Sequence, residues 1–184
     1  MTRRETLVQA AVDVVATSGL KGLTHRAVDG RAGLPSGSAA NVFRDRDSLI
    51  RGVLDELERR SRELWATVPP EHLKSIDDLA RVLANWLGRM TTEPDATLTR
   101  ARLAMTLAYP EQVASGHLGL LTVLERAMAD CGVTKITSRS RAVAAFLDGH
   151  LLHALTVAPA QKLSARQLLP VLRGLLGNDE GTVG

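Results

Sequence analysis

Ser36, Gly37, Ser38, Ala40 and Asn41 fall within six consecutive residues, and Thr24, His25, Arg26, Arg44 and Arg46 bracket them. Each type has a use against nucleic acid. Asn pairs bidentately with the major-groove edge of adenine, Ala can touch a thymine methyl, and Gly lets the backbone approach closely. Arginine side chains, hydroxyls and free N–H groups at helix N-termini hold phosphates. Arg3 and Arg4 add a short basic arm suited to backbone or minor groove. Any one of these arginines has the ordinary alternative of a solvated surface charge, and the grouping carries the signal.

Other constellations offer less. His150 and His153 stand three apart beside Asp148, but two near ligands do not make a metal site, and histidines in interfaces or pockets are commoner. His117 with Ser115 and Glu111 has a hydrolase's residue types without the G-x-S-x-G elbow or the strand scaffold such a nucleophile needs. No catalytic residue, metal or cofactor is expected, and the chain does not read as an enzyme. Cys131 is the only cysteine, which excludes an internal disulfide and fits a reducing cytoplasm. No apolar run approaches a membrane span, and no apolar segment comes after the basic N-terminus as in a signal peptide. The expected localisation is cytoplasmic, with no membrane partner.

The elements that must position the light, polar stretch are helices. Ala and Leu dominate the 184 residues and aromatics make up 3%, a composition that favours helix over sheet. Leu7, Ala10, Ala11, Val14 and Val15 share one helical face, closed by Ser18 and Gly19. Thr24 caps a short helix ending at Gly33, and after Gly33-Leu34-Pro35-Ser36 a second short helix, capped by Ser36 or its neighbour, runs to Phe43. That is the outline of a helix-turn-helix. Its expected core is Leu7, Ala11, Val14, Val15, Leu23 and Val28, with Ala32, Leu34, Ala39, Phe43 and Leu49. So small a unit should lean on the helices after it in the chain. Residues 1–62 carry 11 Lys or Arg against 8 Asp or Glu, so the whole net charge of +3 lies there, as a phosphate-facing surface requires.

Asp45 and Ser48 open a long helix that the Pro69-Pro70 pair should end. Ser75-x-x-Asp78 opens the next, and Asp95–Ala108 and Glu111–Cys131 come after it, the latter closed by Gly132. A long helix from Thr137 or Ser138 reaches Pro159. Ser164-x-x-Gln167 begins the last, with Pro170 near its first turns. The tail from Asn178 should fray.

With Ala32-Gly33-Leu34-Pro35-Ser36-Gly37-Ser38 in the turn and Phe43-x-x-Arg46-Asp47-x-Leu49 at the junction, the chain resembles the TetR family of bacterial transcriptional regulators. The resemblance implies an all-α fold of about nine helices, with a helix-turn-helix DNA-binding domain over 1–46 and a helical effector-binding and dimerisation domain over 47–184. It implies a homodimeric repressor with two partners besides itself, a double-stranded, near-palindromic DNA operator and an unidentified small-molecule effector. Family architecture and residue type place the effector pocket at Trp86, Met90, Arg102, Met105 and Tyr109 with Leu121, Leu124, Phe146 and His150, Arg102 being the polar anchor. The dimer interface falls on the last two long helices, at Val143, Leu147, Leu151 and Leu155 and at Leu168, Leu172 and Leu175. Two positions depart from the family. Ala40 replaces the usual phosphate-contacting Tyr, with Asn41 to substitute for it. Asp29 replaces a small residue and should face an edge or pair with an arginine such as Arg26 or Arg31. The rival reading, which these departures favour, is a helical small-molecule-binding or interaction protein whose helix-turn-helix has lost its DNA function.

Overall fold

A computed structural model describes residues 2–66, 73–159 and 162–177, which form nine α-helices and one π-helical turn, with no strand among the described residues. The Pro69-Pro70 stop and the tail from Asn178 lie outside them. None of the described helices is long and apolar enough to cross a membrane. The chain divides into two compact units, residues 1–63 with 93–116 and residues 64–92 with 117–184.

In the first unit, α1 (Arg3–Gly22) begins with a capping box in which Thr2 Oγ1 accepts the Glu5 N–H and Glu5 accepts the Thr2 N–H. Gly19, at φ 64°, breaks the helical path where the sequence places the end of the helix. α2 (His25–Ala32) is capped by Thr24 and closed by Gly33 in the left-handed conformation, followed by the short α3 (Ser38–Val42). α4 (Arg46–Ala66) opens at Asp45, whose carboxyl accepts the Ser48 N–H at 2.7 Å. That bond, more than the neighbouring arginines, holds the Asp45 carboxyl below its usual range.

Nine of the eleven expected core residues are buried, and Ala32 and Leu34 pack half-buried against them. Val8 and Val12 are buried as well, which widens the apolar face of α1 beyond the stripe read from the sequence. α6 (Asp95–Ala108) packs on α1 and adds Leu98, Ala101 and Met105 to the same core. The small three-helix unit therefore leans on a helix fifty residues beyond its end, and the boundary of packing does not fall at residue 46.

α7 (Pro110–Asp130) gives its first residues to the first unit and the rest to the second. In the second unit α5 (Ile76–Met90), capped by Ser75, packs on α9 (Ala165–Gly177) and α8 (Ile136–Leu152). Its core joins Leu79, Leu83 and Leu87 to Leu147, Leu168 and Leu172. Arg173 of α9 binds Asp77 of α5 through both carboxyl oxygens, at 2.7 and 2.9 Å. α9 continues through Pro170. Beyond α8 the chain makes one π-helical turn, His153–Val157, before Pro159.

Candidate nucleic-acid interface

Two of the exposed light residues expected to read bases, Ala40 and Asn41, stand on the open side of α3, and Ser36 is exposed just before it. Ala39 and Phe43, on the other side, are buried at 0% and 1% exposure. α3 is only five residues long, too short to hold its own geometry, so its orientation depends on side chains from elsewhere.

Those side chains come from α1 and α2. Asp29 of α2 is buried and accepts the Gly37 N–H at 2.8 Å through one carboxyl oxygen and the Ala39 N–H at 2.7 Å through the other. Arg3 donates to the Ser38 hydroxyl at 2.7 Å, and that hydroxyl donates to the Pro35 carbonyl. His25 Nε2 donates to the Phe43 carbonyl at 2.7 Å, and the Arg4 guanidinium lies 5.1 Å from the centre of the Phe43 ring.

This geometry corrects several expectations. Among the described residues Asp29 pairs with no arginine, and Arg31 instead binds Asp13 of α1 at 3.0 Å. The acid that counted against DNA function is part of the turn. Ser38 is 2% exposed and cannot face a base. The first amides of α3, those of Gly37, Ser38 and Ala39, are bonded within the protein and do not await a phosphate. Arg3 and Arg4 belong to the first turn of α1 rather than to a loose arm, and their exposed guanidinium groups flank α3. Arg46 donates to the Leu20 and Leu23 carbonyls at 2.6 and 2.9 Å, tying the start of α4 to the link between α1 and α2. Its donors serve the fold. Thr24 spends its hydroxyl oxygen on the Ala27 N–H, while Arg26 is exposed and Arg44 projects with 94% of its side chain accessible.

The residues expected in an effector pocket are shared between the two units. Met105 is buried in the first unit's core, with Tyr109 against it, and Arg102 donates to the Ser61 hydroxyl within that unit. Met90 and Leu124 are core in the second unit, and Trp86 is half-buried against that core. Leu121 is half-buried. Met90, Met105 and Leu124 are thus wall rather than lining, since full burial leaves no surface for a ligand. Phe146 and His150 do come together. Their rings stack with centroids 6.3 Å apart, and they border a cavity of about 370 Å³ with His153, Ala154, Lys162 and Leu163. Burial, then the neighbouring His153, holds the His150 imidazole below its ordinary 6.5. His153, singled out in the sequence only for its spacing from His150, and Lys162 were not among the expected pocket residues. The His150-x-x-His153 spacing was a usable signal for the first, and Lys162 had none. Among the described residues no three His, Cys, Asp or Glu side chains gather as a metal site.

The interface expectation also needs correcting. Val143, Leu147, Leu151, Leu168 and Leu172 are buried within a single chain and cannot also meet a partner, while Leu155 and Leu175 are half-buried. The same helices expose other stripes, Ala142, Ala145, Gly149 and Leu152 on α8 and Gln167, Val171 and Gly174 on α9.

A family model described as the tetracyclin repressor-like C-terminal domain matches residues 74–178. Among solved structures, a transcriptional regulator from Rhodococcus sp. Rha1 is similar with a TM-score of 0.76 and 23% identity, over 96% of this chain and 95% of that one, which shows the shared fold. A member of the TetR family from Streptomyces coelicolor A3 superposes with a TM-score of 0.72 at 26% identity, over 97% of this chain and 100% of its own. The multidrug binding protein EbrR complexed with malachite green gives a TM-score of 0.72 at 25% identity, over 97% and 100%. No curated protein matches the chain.

Proposed function

The chain belongs to the TetR family of transcriptional regulators, and from that premise we propose that it is a homodimeric, ligand-responsive repressor of a near-palindromic DNA operator. The observation that carries this reading is α3 itself. Its buried side is fastened by Asp29, Arg3 and His25, while Ala40 and Asn41 remain exposed. A helix held this way can enter a major groove without changing shape. Asn41 reads an adenine, Ala40 meets a thymine methyl, and Ser36 and Gly37 lie at the leading end. Arg3, Arg4, Thr24, Arg26 and Arg44 surround them as phosphate contacts, and the excess positive charge of residues 1–62 attracts the duplex.

The domain assignment obeys the same logic: residues 1–46 read DNA, and residues 47–184 hold the effector and the partner subunit. EbrR has been crystallised with ethidium, malachite green and proflavin, and a small aromatic molecule is the effector class we assign here. The cavity beside Phe146 and His150 is its site. Lys162, His150 and His153 line that cavity with no carboxylate among the described lining residues, which suits a neutral or anionic effector. Its binding relieves repression only if it favours a conformation that fits DNA less well.

The test is selection of duplexes from a random-sequence pool, followed by titration. Asn41→Ala should relax discrimination at one base pair in each half-site, by about 1–3 kcal/mol. Arg44→Ala should weaken all duplexes alike and flatten the salt dependence by about one counterion. If neither variant differs from wild type on the selected duplex, α3 does not read DNA.

A further inference from the structure

We infer that Asp29 is a positioning residue for base reading, an acid on α2 that serves as the missing N-cap of α3 and sets the angle at which Ala40 and Asn41 are presented. The inference rests on the DNA-reading function proposed above.

Gly37, the residue before α3, has φ 89°, a conformation that favours glycine, so the position that normally supplies a capping side chain has none to give. Two N–H groups at the head of α3 would be left without acceptors. Asp29 supplies both, from ten and eight residues earlier in the chain, at 2.7 and 2.8 Å, with the residue only 3% exposed. Bonds of this kind to a carboxylate are stronger than neutral ones, and removing the acceptor leaves buried donors unsatisfied. The same residue also ends α2, because its backbone carbonyl accepts the Leu34 N–H at 3.0 Å. One residue therefore closes the helix before the turn and opens the helix after it.

The far end of α3 is secured independently. Phe43 is buried and its carbonyl is held by His25. Without the Asp29 carboxyl, the C-terminal end of α3 keeps its anchor, while the N-terminal turn keeps only the Ser38 bonds to Arg3 and Pro35 and loses both bonds that fix its angle. That is the end that leads a recognition helix into the groove. The consequence falls on discrimination between sequences, since phosphate contacts from Arg4, Arg26 and Arg44 make no bond to the head of α3, which only Arg3 among the arginines touches. A carboxyl serving only fold stability would affect all duplexes equally, through the fraction of protein folded.

The experiment compares wild type, Asp29→Asn and Asp29→Ala on the duplex that wild type selects and on a scrambled duplex of the same composition. Asn keeps the shape but turns one acceptor into a donor facing an N–H, so it carries the test if the alanine variant does not fold. For Asp29→Asn we expect about a tenfold or greater loss on the selected duplex, scrambled-duplex affinity within about twofold, and an unchanged salt slope. Amide exchange gives a readout without DNA: the Gly37 and Ala39 amides should exchange about tenfold or more faster in Asp29→Asn, with the Val28 amide unchanged. Equal losses on both duplexes, unchanged exchange, or loss of helicity in the asparagine variant overturns the inference and leaves the DNA reading intact. Wild-type protein that selects no duplex overturns both.

Discussion

A hydrogen replaced by a methyl group at Gly52 would bring a carbon to 2.8 Å from Phe43 Cε1 and 3.3 Å from Cζ. Phe43 is 1% exposed and belongs to the same buried core as Leu49 and Val53, so its ring has little room to withdraw. Gly52→Ala should therefore destabilise the protein by about 1–3 kcal/mol despite the better helix propensity of alanine. Urea unfolding followed by helical ellipticity checks this, and an unchanged or higher midpoint refutes it. Phe43 itself was legible in the sequence as a large apolar residue closing a helix. Gly52 was not, because it sits inside a regular helical run and its demand for space comes from a tertiary approach. Asp29 and Arg46 show the same limit for polar groups. Residue type and position suggested a surface acid and a phosphate contact, yet their partners are backbone amides and carbonyls, which every sequence contains and no side-chain pattern displays.

Helix caps and helix ends were the most legible elements, because their signals are local. Thr24, Gly33, Asp45 with Ser48, Ser75 and Gly132 all mark ends or turns where the sequence placed them. Which element covers an apolar stripe is a long-range fact, and there the reading of α8 and α9 failed. Their regular apolar residues face α5 within the chain. The end of α8 carries its own prediction. His150, stacked on Phe146, has its imidazole pushed below 6.5, first by burial and then by the charge of His153. The folded state thus prefers neutral His150, and the unfolded chain binds a proton more readily. This contribution to stability is present above pH 6.5 and is lost as the pH falls through the lower folded value. Wild type should lose more thermal stability between pH 8 and pH 5 than His150→Gln does. Parallel loss in the two proteins would show that His150 is not the titrating group.

At the scale of the molecule, two α3 helices can occupy successive major grooves only if a second chain places them roughly 34–36 Å apart. With the apolar stripes of α8 and α9 spent on their own core, the proposed subunit contact falls to the exposed stripes on the same helices. Ala142, Ala145, Gly149 and Leu152 recur at helical spacing on α8, with Ala145 and Gly149 also at the edge of the effector cavity, as do Gln167, Val171 and Gly174 on α9. Small side chains there let helices from two subunits approach closely, and Leu152 and Val171, each 41% exposed, would supply apolar area. A carboxylate in the middle of such a contact would have to be desolvated without a partner. Ala142→Glu combined with Val171→Glu should convert a dimer to a monomer in sedimentation while leaving helicity intact, because both positions are exposed in the single chain. The monomer should retain weak binding to a half-site. It should lose about 10²–10⁴-fold in affinity for the full operator, the factor by which linking two sites raises avidity. A double variant that remains dimeric would move the contact off these stripes. A monomeric variant that binds the full operator as tightly as wild type would remove the need for a dimer altogether.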